Sequence, residues 1–344
     1  MERVLPKTID YTDVLPLAVE SKSRRRTFFP TNGGTFTDNA NNIVRIDISA
    51  DALLDTQHSY LRFTFTQGAG QTCGIDFAGG HSFIRRLRVE QSGTVLEDIQ
   101  NYNKLMGGIV LPCQCGSDYL RERSITEGVQ GPGSSTAGTV AGFAAAGPLV
   151  GAAAAAGDAL GISSANQAAT NQNNIASQMI AGEQYDMCIP LTSGLFNNEK
   201  LIPLMLMSAP LTIEIELAPS VQALVTSGAT TYTWTNVRYI ANLVEVGQDV
   251  SQQLRMVQEM SGGVLTLAGQ TYRHFSGTSI INATETVINI PARVKSMKSL
   301  FFYSKGSAAD ATANYDLGNG GTVGITEFQL KIGSVTYPPT PIQC

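Results

Sequence analysis

The sequence predicts an all-β protein of antiparallel sandwiches arranged in tandem. Three observations carry this. Residues 211–217 alternate strictly: Leu211, Ile213, Ile215 and Leu217 point one way, Thr212, Glu214 and Glu216 the other. That period of two marks a half-buried strand. Short segments of this kind recur along the chain between Gly, Asn and Ser turns, the pattern of a sandwich or barrel. Finally, two distant phrases look alike: residues 84–99 read IRRLRVEQSGTVLEDI and residues 325–342 read ITEFQLKIGSVTYPPTPI. Each is a β segment, a small-residue turn (Ser92-Gly93; Gly333-Ser334) and a second β segment. Self-similarity at long range suggests a duplicated domain.

Length and composition agree with that architecture. A chain of 344 residues accommodates two domains, or one large all-β domain. Hydrophobic residues make up 43% and charged residues 15%. The chain can fill a core, but its surface is poor in charge, which suits a protein much of whose surface is buried against neighbours. The net charge of −5 lacks the basic excess of a dedicated nucleic-acid binder. The five cysteines, Cys73, Cys113, Cys115, Cys188 and Cys344, follow no disulfide framework.

Taken in order, residues 1–26 read as an extended N-terminal arm. Pro6 and Pro16 interrupt helix, and residues 21–26 (SKSRRR) form a short basic cluster. Arg24, Arg25 and Arg26 are the candidate contact to phosphate, from nucleic acid or lipid head groups, on an inner surface. A solvated loop is the plainer reading of the same residues. The arm lacks the apolar core of a secretory signal. No window has the roughly 18 uninterrupted apolar residues of a membrane span.

Strands are expected over residues 41–49, with Val44, Ile46 and Ile48 on one face, and over 60–66, with Leu61, Phe63 and Phe65 together. Further strands are expected at 83–89 and 94–99, and residues 101–106 suit a short helix. Residues 128–182 are Gly, Ala, Ser, Thr, Asn and Gln with almost no charge. That composition cannot build a core, so the segment reads as a long surface insertion between strands. Strand patterning resumes at Tyr185 and runs through 231–246. Residues 250–258 suit a helix or connector. Later strands are expected at 263–267, 271–275, 285–290, 294–303 and 326–332. The domain reading is therefore an arm (1–26), a first sandwich (27–248) carrying the 128–182 insertion, and a second sandwich (249–344). At about 95 residues the second falls short of a full sandwich of ~100 or more. It reads as incomplete: either the chain is a fragment, the favoured reading, or its last strands come from another polypeptide.

Residues 189–218 (IPLTSGLFNNEKLIPLMLMSAPLTIEIELA), followed by 234–249 (WTNVRYIANLVEVGQD), resemble passages near the end of the first roll of double jelly-roll major capsid proteins of icosahedral DNA viruses. Residues 331–342 (KIGSVTYPPTPI) resemble a phrase of the second roll. The resemblance implies two tandem jelly rolls per chain and a homotrimer with pseudo-hexameric outline that tiles an icosahedral shell. It implies synthesis in the host cytoplasm and residence in the virion. The partners implied are further copies of the chain, with minor capsid proteins, a penton protein, and an internal membrane or the genome reached by the N-terminal arm.

Catalytic chemistry finds no foothold. His58, His81 and His274 form no metal motif and adjoin no nucleophile, and each reads as a surface or interstrand histidine. Cys113 and Cys115 would face one side of a strand, but no further ligands complete a metal site. The Gly-rich run at 316–321 (DLGNGG) lacks the context of a phosphate loop and reads as a turn. Asp51, Asp55, Glu97 and Asp98 offer no carboxylate pairing arguable from spacing. No catalytic residue, metal or cofactor is expected. The alternative to a shell subunit is a β-sandwich adhesin, spike or sugar-binding module. A cupin-like enzyme would need a histidine set that is not present.

Overall fold

The computed structural model describes residues 20–68, 73–76, 78–114, 122–123, 126–129, 184–198, 200–226, 231–264, 269–277, 285–292, 294, 296–302 and 327–343. Its strands are β1 (Ser21–Phe28), β2 (Thr35–Thr37), β3 (Ile43–Ile48), β4 (Leu53–Gln67), β5 (Cys73–Ile75), β6 (Ile84–Gln91), β7 (Thr94–Gln100), β8 (Gln184–Ile189), β9 (Ile202–Pro203), β10 (Leu211–Leu217), β11 (Leu224–Thr226), β12 (Tyr232–Val246), β13 (Glu327–Ile332) and β14 (Val335–Gln343). Helix α1 (Tyr102–Leu105) follows β7, and α2 (Gln248–Met260) follows β12.

Two antiparallel sheets face each other. One runs β1-β12-β4-β8, with β2 and β9 as short additions; the other runs β3-β10-β6-β7. The eight principal strands in chain order are β1, β3, β4, β6, β7, β8, β10 and β12. The first pairs with the eighth, the second with the seventh, the third with the sixth, and the fourth with the fifth. This is the order made by winding one long antiparallel hairpin into two sheets, a jelly roll. The roll is thus complete within residues 21–246.

Alternation explains why these segments sit where they do. Val44, Ile46 and Ile48 of β3, Leu211, Ile213, Ile215 and Leu217 of β10, and Leu87 and Val89 of β6 are buried. They face Leu61, Phe63 and Phe65 of β4 and Tyr232, Trp234, Tyr239 and Leu243 of β12, also buried. Phe63 stacks on Trp234 with ring centroids 3.7 Å apart. Phe83 closes this end of the core, 4.9 Å from both Phe65 and Tyr232. Core packing is therefore the role of the β4 aromatics.

Three expectations change. Residues 21–26 are not a free arm. Their backbone pairs with β12, Ser21 opposite Val246 through Arg26 opposite Ala241, so the boundary at residue 26 falls inside the first strand of the roll. The insertion starts later than 128: Gly128 and Val129 are buried, and Val129 belongs to the core. Residues 271–275 and 285–290, expected as strands, form no strand, nor do 294 and 296–302. A strand needs a partner ladder, and among the described residues beyond α2 only β13 and β14 pair. All the fully buried apolar side chains among the described residues lie between Phe28 and Leu243. Of the expected second sandwich, the described residues show one hairpin. The Gly-rich run at 316–321 and most of 263–267 and 128–182 lie outside the described residues.

Residues 127–129, where the expected insertion begins, are clamped to the roll. The 3-10 turn Gly79–Phe83 lies against residues 127–129. Gly79 has φ +59°, and a Cβ there would stand 2.4 Å from backbone atoms of Glu127, Gly128 and Val129. Positive φ and missing space act together. Gly79→Ala is expected to lower stability by about 2 kcal/mol or more, measured by urea denaturation. An unchanged midpoint would show that the clamp contributes nothing.

Candidate assembly surface

The arginine triplet is placed by strand geometry. Period two divides it: Lys22, Arg24, Arg26 and Phe28 share one face of β1, and Ser23, Arg25 and Thr27 the other. The expected three-guanidinium patch is therefore split between two faces. Arg24 Nη2 is 2.6 Å from Glu245 Oε1 of the neighbouring β12. Arg26 lies 5.1 Å from the centre of the Phe28 ring and donates to the Ser49 carbonyl at 3.5 Å. Among the described residues Arg25 has no acidic partner. β1 is the outer strand of its sheet, bonded to β12 alone, and it is exposed except at Phe28. Charged side chains on an edge strand keep it from pairing promiscuously.

The outer face of the second sheet is a ladder of charge. Arg45, Glu214, Arg88 and Asp98 are successive cross-strand neighbours on β3, β10, β6 and β7. Glu214 lies 2.6 Å from Arg45 and 3.6 Å from Arg88, and Glu90 bridges the same two arginines. Arg86 grips Asp98 with two bonds of 2.7 and 2.6 Å. Opposite charges facing across strands stabilise a sheet. The charges of this face are paired across its strands.

These contacts set an acid limit. The Arg86 bonds hold the Asp98 carboxyl below its ordinary range. Bonds from Thr64 and Arg62 do the same for Asp186 on the other sheet. A carboxylate whose folded value is depressed contributes stability that is full above the unfolded value of about 3.9 and is lost as pH falls through the folded one. Both groups are partly exposed, so each is worth about 1 kcal/mol or less. The urea midpoint is expected to fall as pH drops below about 4, and less steeply in Asp98→Asn.

One exposed apolar face belongs to the hairpin β13–β14. Phe328 pairs with Ile342, Leu330 with Tyr337 and Ile332 with Val335. Those six side chains share one face; Glu327, Gln329 and Lys331 take the other. Phe328, Ile332, Val335, Tyr337 and Ile342 are exposed large hydrophobics, and the Phe302 ring stacks on Phe328 at 5.8 Å. The equivalent positions in β6–β7 show what such a face is for. Counting back from the turns, Phe328 and Leu330 correspond to Leu87 and Val89, both fully buried. Both hairpins turn through positive φ, Ser92 and Gly93 in one and Gly333 in the other. Such turns match strand twist.

The histidines and cysteines lie apart. His58 pairs with Asp55 at 2.7 Å on the surface. His81 is not a surface histidine. It is buried, with Nδ1 3.2 Å from the Tyr102 hydroxyl and Nε2 3.6 Å from Glu127. His274 lies beside Asn101. Cys113 sits in a helical turn (Leu111–Gln114), not a strand, and Cys115 is outside the described residues. Cys188 is a free thiol pushed up by burial. Glu97 is buried and accepts backbone N–H bonds from Gly194 and Leu195. Among the described residues no three His, Cys, Asp or Glu side chains gather as metal ligands. Sequence reasoning missed Glu97 and Glu127, because nothing local separates a buried carboxylate from a surface one.

Neither a family model nor a curated protein matches the chain. Solved structures of viruses and viral capsid proteins are similar to it. They include the Faustovirus major capsid protein, 11% identical over 72% of this chain and 57% of that one, TM-score 0.36. A quasi-atomic model of the PBCV-1 virus capsid is 12% identical over 71% and 46%, TM-score 0.37. The Sputnik virophage structure is 12% identical over 72% and 53%, TM-score 0.37. The chain spans about half the length of these structures.

Proposed function

We propose that the chain is a structural virion protein, a major capsid protein whose copies assemble as trimeric, pseudo-hexameric capsomers of an icosahedral shell. The observation that carries this reading is the pairing of a complete jelly roll with a second hairpin of the same design. That hairpin's core-type face is about half exposed. Two rolls per chain give a trimer six similar units. The low charged fraction and the sequence resemblance at residues 189–218 and 331–342 support the same reading. Its partners are copies of itself, neighbouring capsomers, and minor capsid or penton proteins. Arg25, the triplet member without an acidic partner, is the residue proposed to reach phosphate of genome or inner membrane.

Electron microscopy of the concentrated protein tests this. Six-lobed particles with threefold averages, or sheets tiled by them, are expected. Single-lobed particles that bind immobilised glycans would instead support the sugar-binding module.

A further inference from the structure

The outer face of the sheet β1-β12-β4-β8 carries two arginines side by side. Arg62 of β4 and Arg238 of β12 are directly opposed in the ladder. Their chain neighbours Leu61, Phe63, Val237 and Tyr239 are buried, so both arginines point away from the core. Like charges placed opposite each other destabilise a sheet, so this pairing calls for a counter-charge.

One carboxylate stands nearby, with both oxygens committed. Asp186 of β8 accepts Arg62 Nη2 at 2.6 Å on one oxygen and the Thr64 hydroxyl at 2.6 Å on the other. Arg238 acts on it only at longer range. Asp55, further along the same face, is bonded to His58 and Asn242. Among the described residues Arg238 has no hydrogen-bonded or ion-paired partner, and its Nε is buried without an acceptor. The side chain is half-buried. A cation so placed has lost part of its hydration and gained no bond in return, which is costly.

We propose that Arg62 and Arg238 form a carboxylate-binding site, and that its occupant is an Asp or Glu side chain of a second copy of the chain. Two cations against one anion leave a single positive charge, which a carboxylate balances. A phosphate group, at about −1.5 to −2 near neutral pH, overshoots that balance and meets Asp186. Directly opposed residues have Cα atoms about 4.5–5.5 Å apart, so the two guanidiniums can share one carboxylate, and Arg binds that group bidentately. Charge complementarity selects a second copy as the partner. The chain carries 28 Asp and Glu against 23 Lys and Arg, whereas this cluster is positive. Among the described residues Asp249 and Glu259 of α2 are exposed acids without a cationic partner. The proposal rests on the reading of the chain as one that assembles with its own copies.

Sedimentation of the full chain over a range of concentrations, parent against Arg238→Gln, tests the site. The variant keeps a polar side chain and loses the charge. The concentration at which the oligomer half-dissociates is expected to rise about tenfold or more, the worth of a hydrogen bond to a charged group. Added salt should weaken association of the parent more than that of the variant, and Arg238→Lys should recover part of the loss. The urea midpoint of dilute Arg238→Gln should stay level or rise, because a like-charge pair is relieved; a lower midpoint would make Arg238 a structural residue and overturn the proposal. Unchanged association in Arg238→Gln would overturn the site and leave the shell-subunit reading standing. A parent that is monomeric at every concentration would overturn both.

Discussion

Phe83→Ala is expected to cost about 3–5 kcal/mol, the range for a buried aromatic replaced by alanine. Phe83 is fully buried. Its ring touches four others: Phe65 and Tyr232 at 4.9 Å, Trp234 at 5.9 Å and Phe63 at 6.2 Å. It stands where the Gly79–Phe83 turn enters β6, so the cavity would open between the two sheets at the root of the insertion. Neighbours held in paired strands cannot collapse into that space. Against a total stability of about 5–15 kcal/mol, such a loss leaves the roll marginal. The protein's single tryptophan, Trp234, lies in this cluster and reports directly. Urea titration followed by its emission should show a midpoint far below that of the parent. A loss under about 0.5 kcal/mol, the size of an ordinary surface substitution, would mean that the aromatic cluster does not hold the sheets together.

Phe328→Ser combined with Tyr337→Ser is expected to abolish self-association and leave the first roll folded. These side chains lie on the apolar face of β13–β14, on different strands, where Leu330 and Ile342 join them. In the proposed assembly that face is the inner side of a second sandwich, as Leu87 and Val89 are in the first. Replacing two large apolar groups by hydroxyls removes about 1.5–3 kcal/mol of burial per residue and adds polar groups to desolvate. The first roll keeps its midpoint because neither residue belongs to its core. Light scattering after gel filtration reads the outcome. An unchanged oligomer in the double variant would show that the hairpin face takes no part in assembly.

The first roll was largely legible because its strands announce themselves. The alternations at 43–48, 61–65 and 211–217 rest on side chains that one buried face requires, and the sheets use them as written. The turn at Ser92-Gly93 was legible for a similar reason, since positive φ favours glycine. β1 was not legible. Its sequence, SKSRRRTF, carries no alternation, because an edge strand with two exposed faces needs none. Only its pairing with β12, more than two hundred residues away, makes it a strand. That distance also hid the separation of Arg25 from Arg24 and Arg26, which becomes evident only once the segment is known to be extended. The buried carboxylates Glu97 and Glu127 escaped for the same reason. Glu97 is defined by donors at Gly194, Leu195 and Thr271, all distant in sequence. The strands expected at 271–275 and 285–290 have β-type composition, but composition alone supplies no partner ladder.

Sedimentation equilibrium of the purified chain over a wide concentration range tests the shell-subunit reading most directly. The account predicts a species at three times the 36.6 kDa chain mass, with larger assemblies built from it. A mass of one chain at every concentration would contradict it.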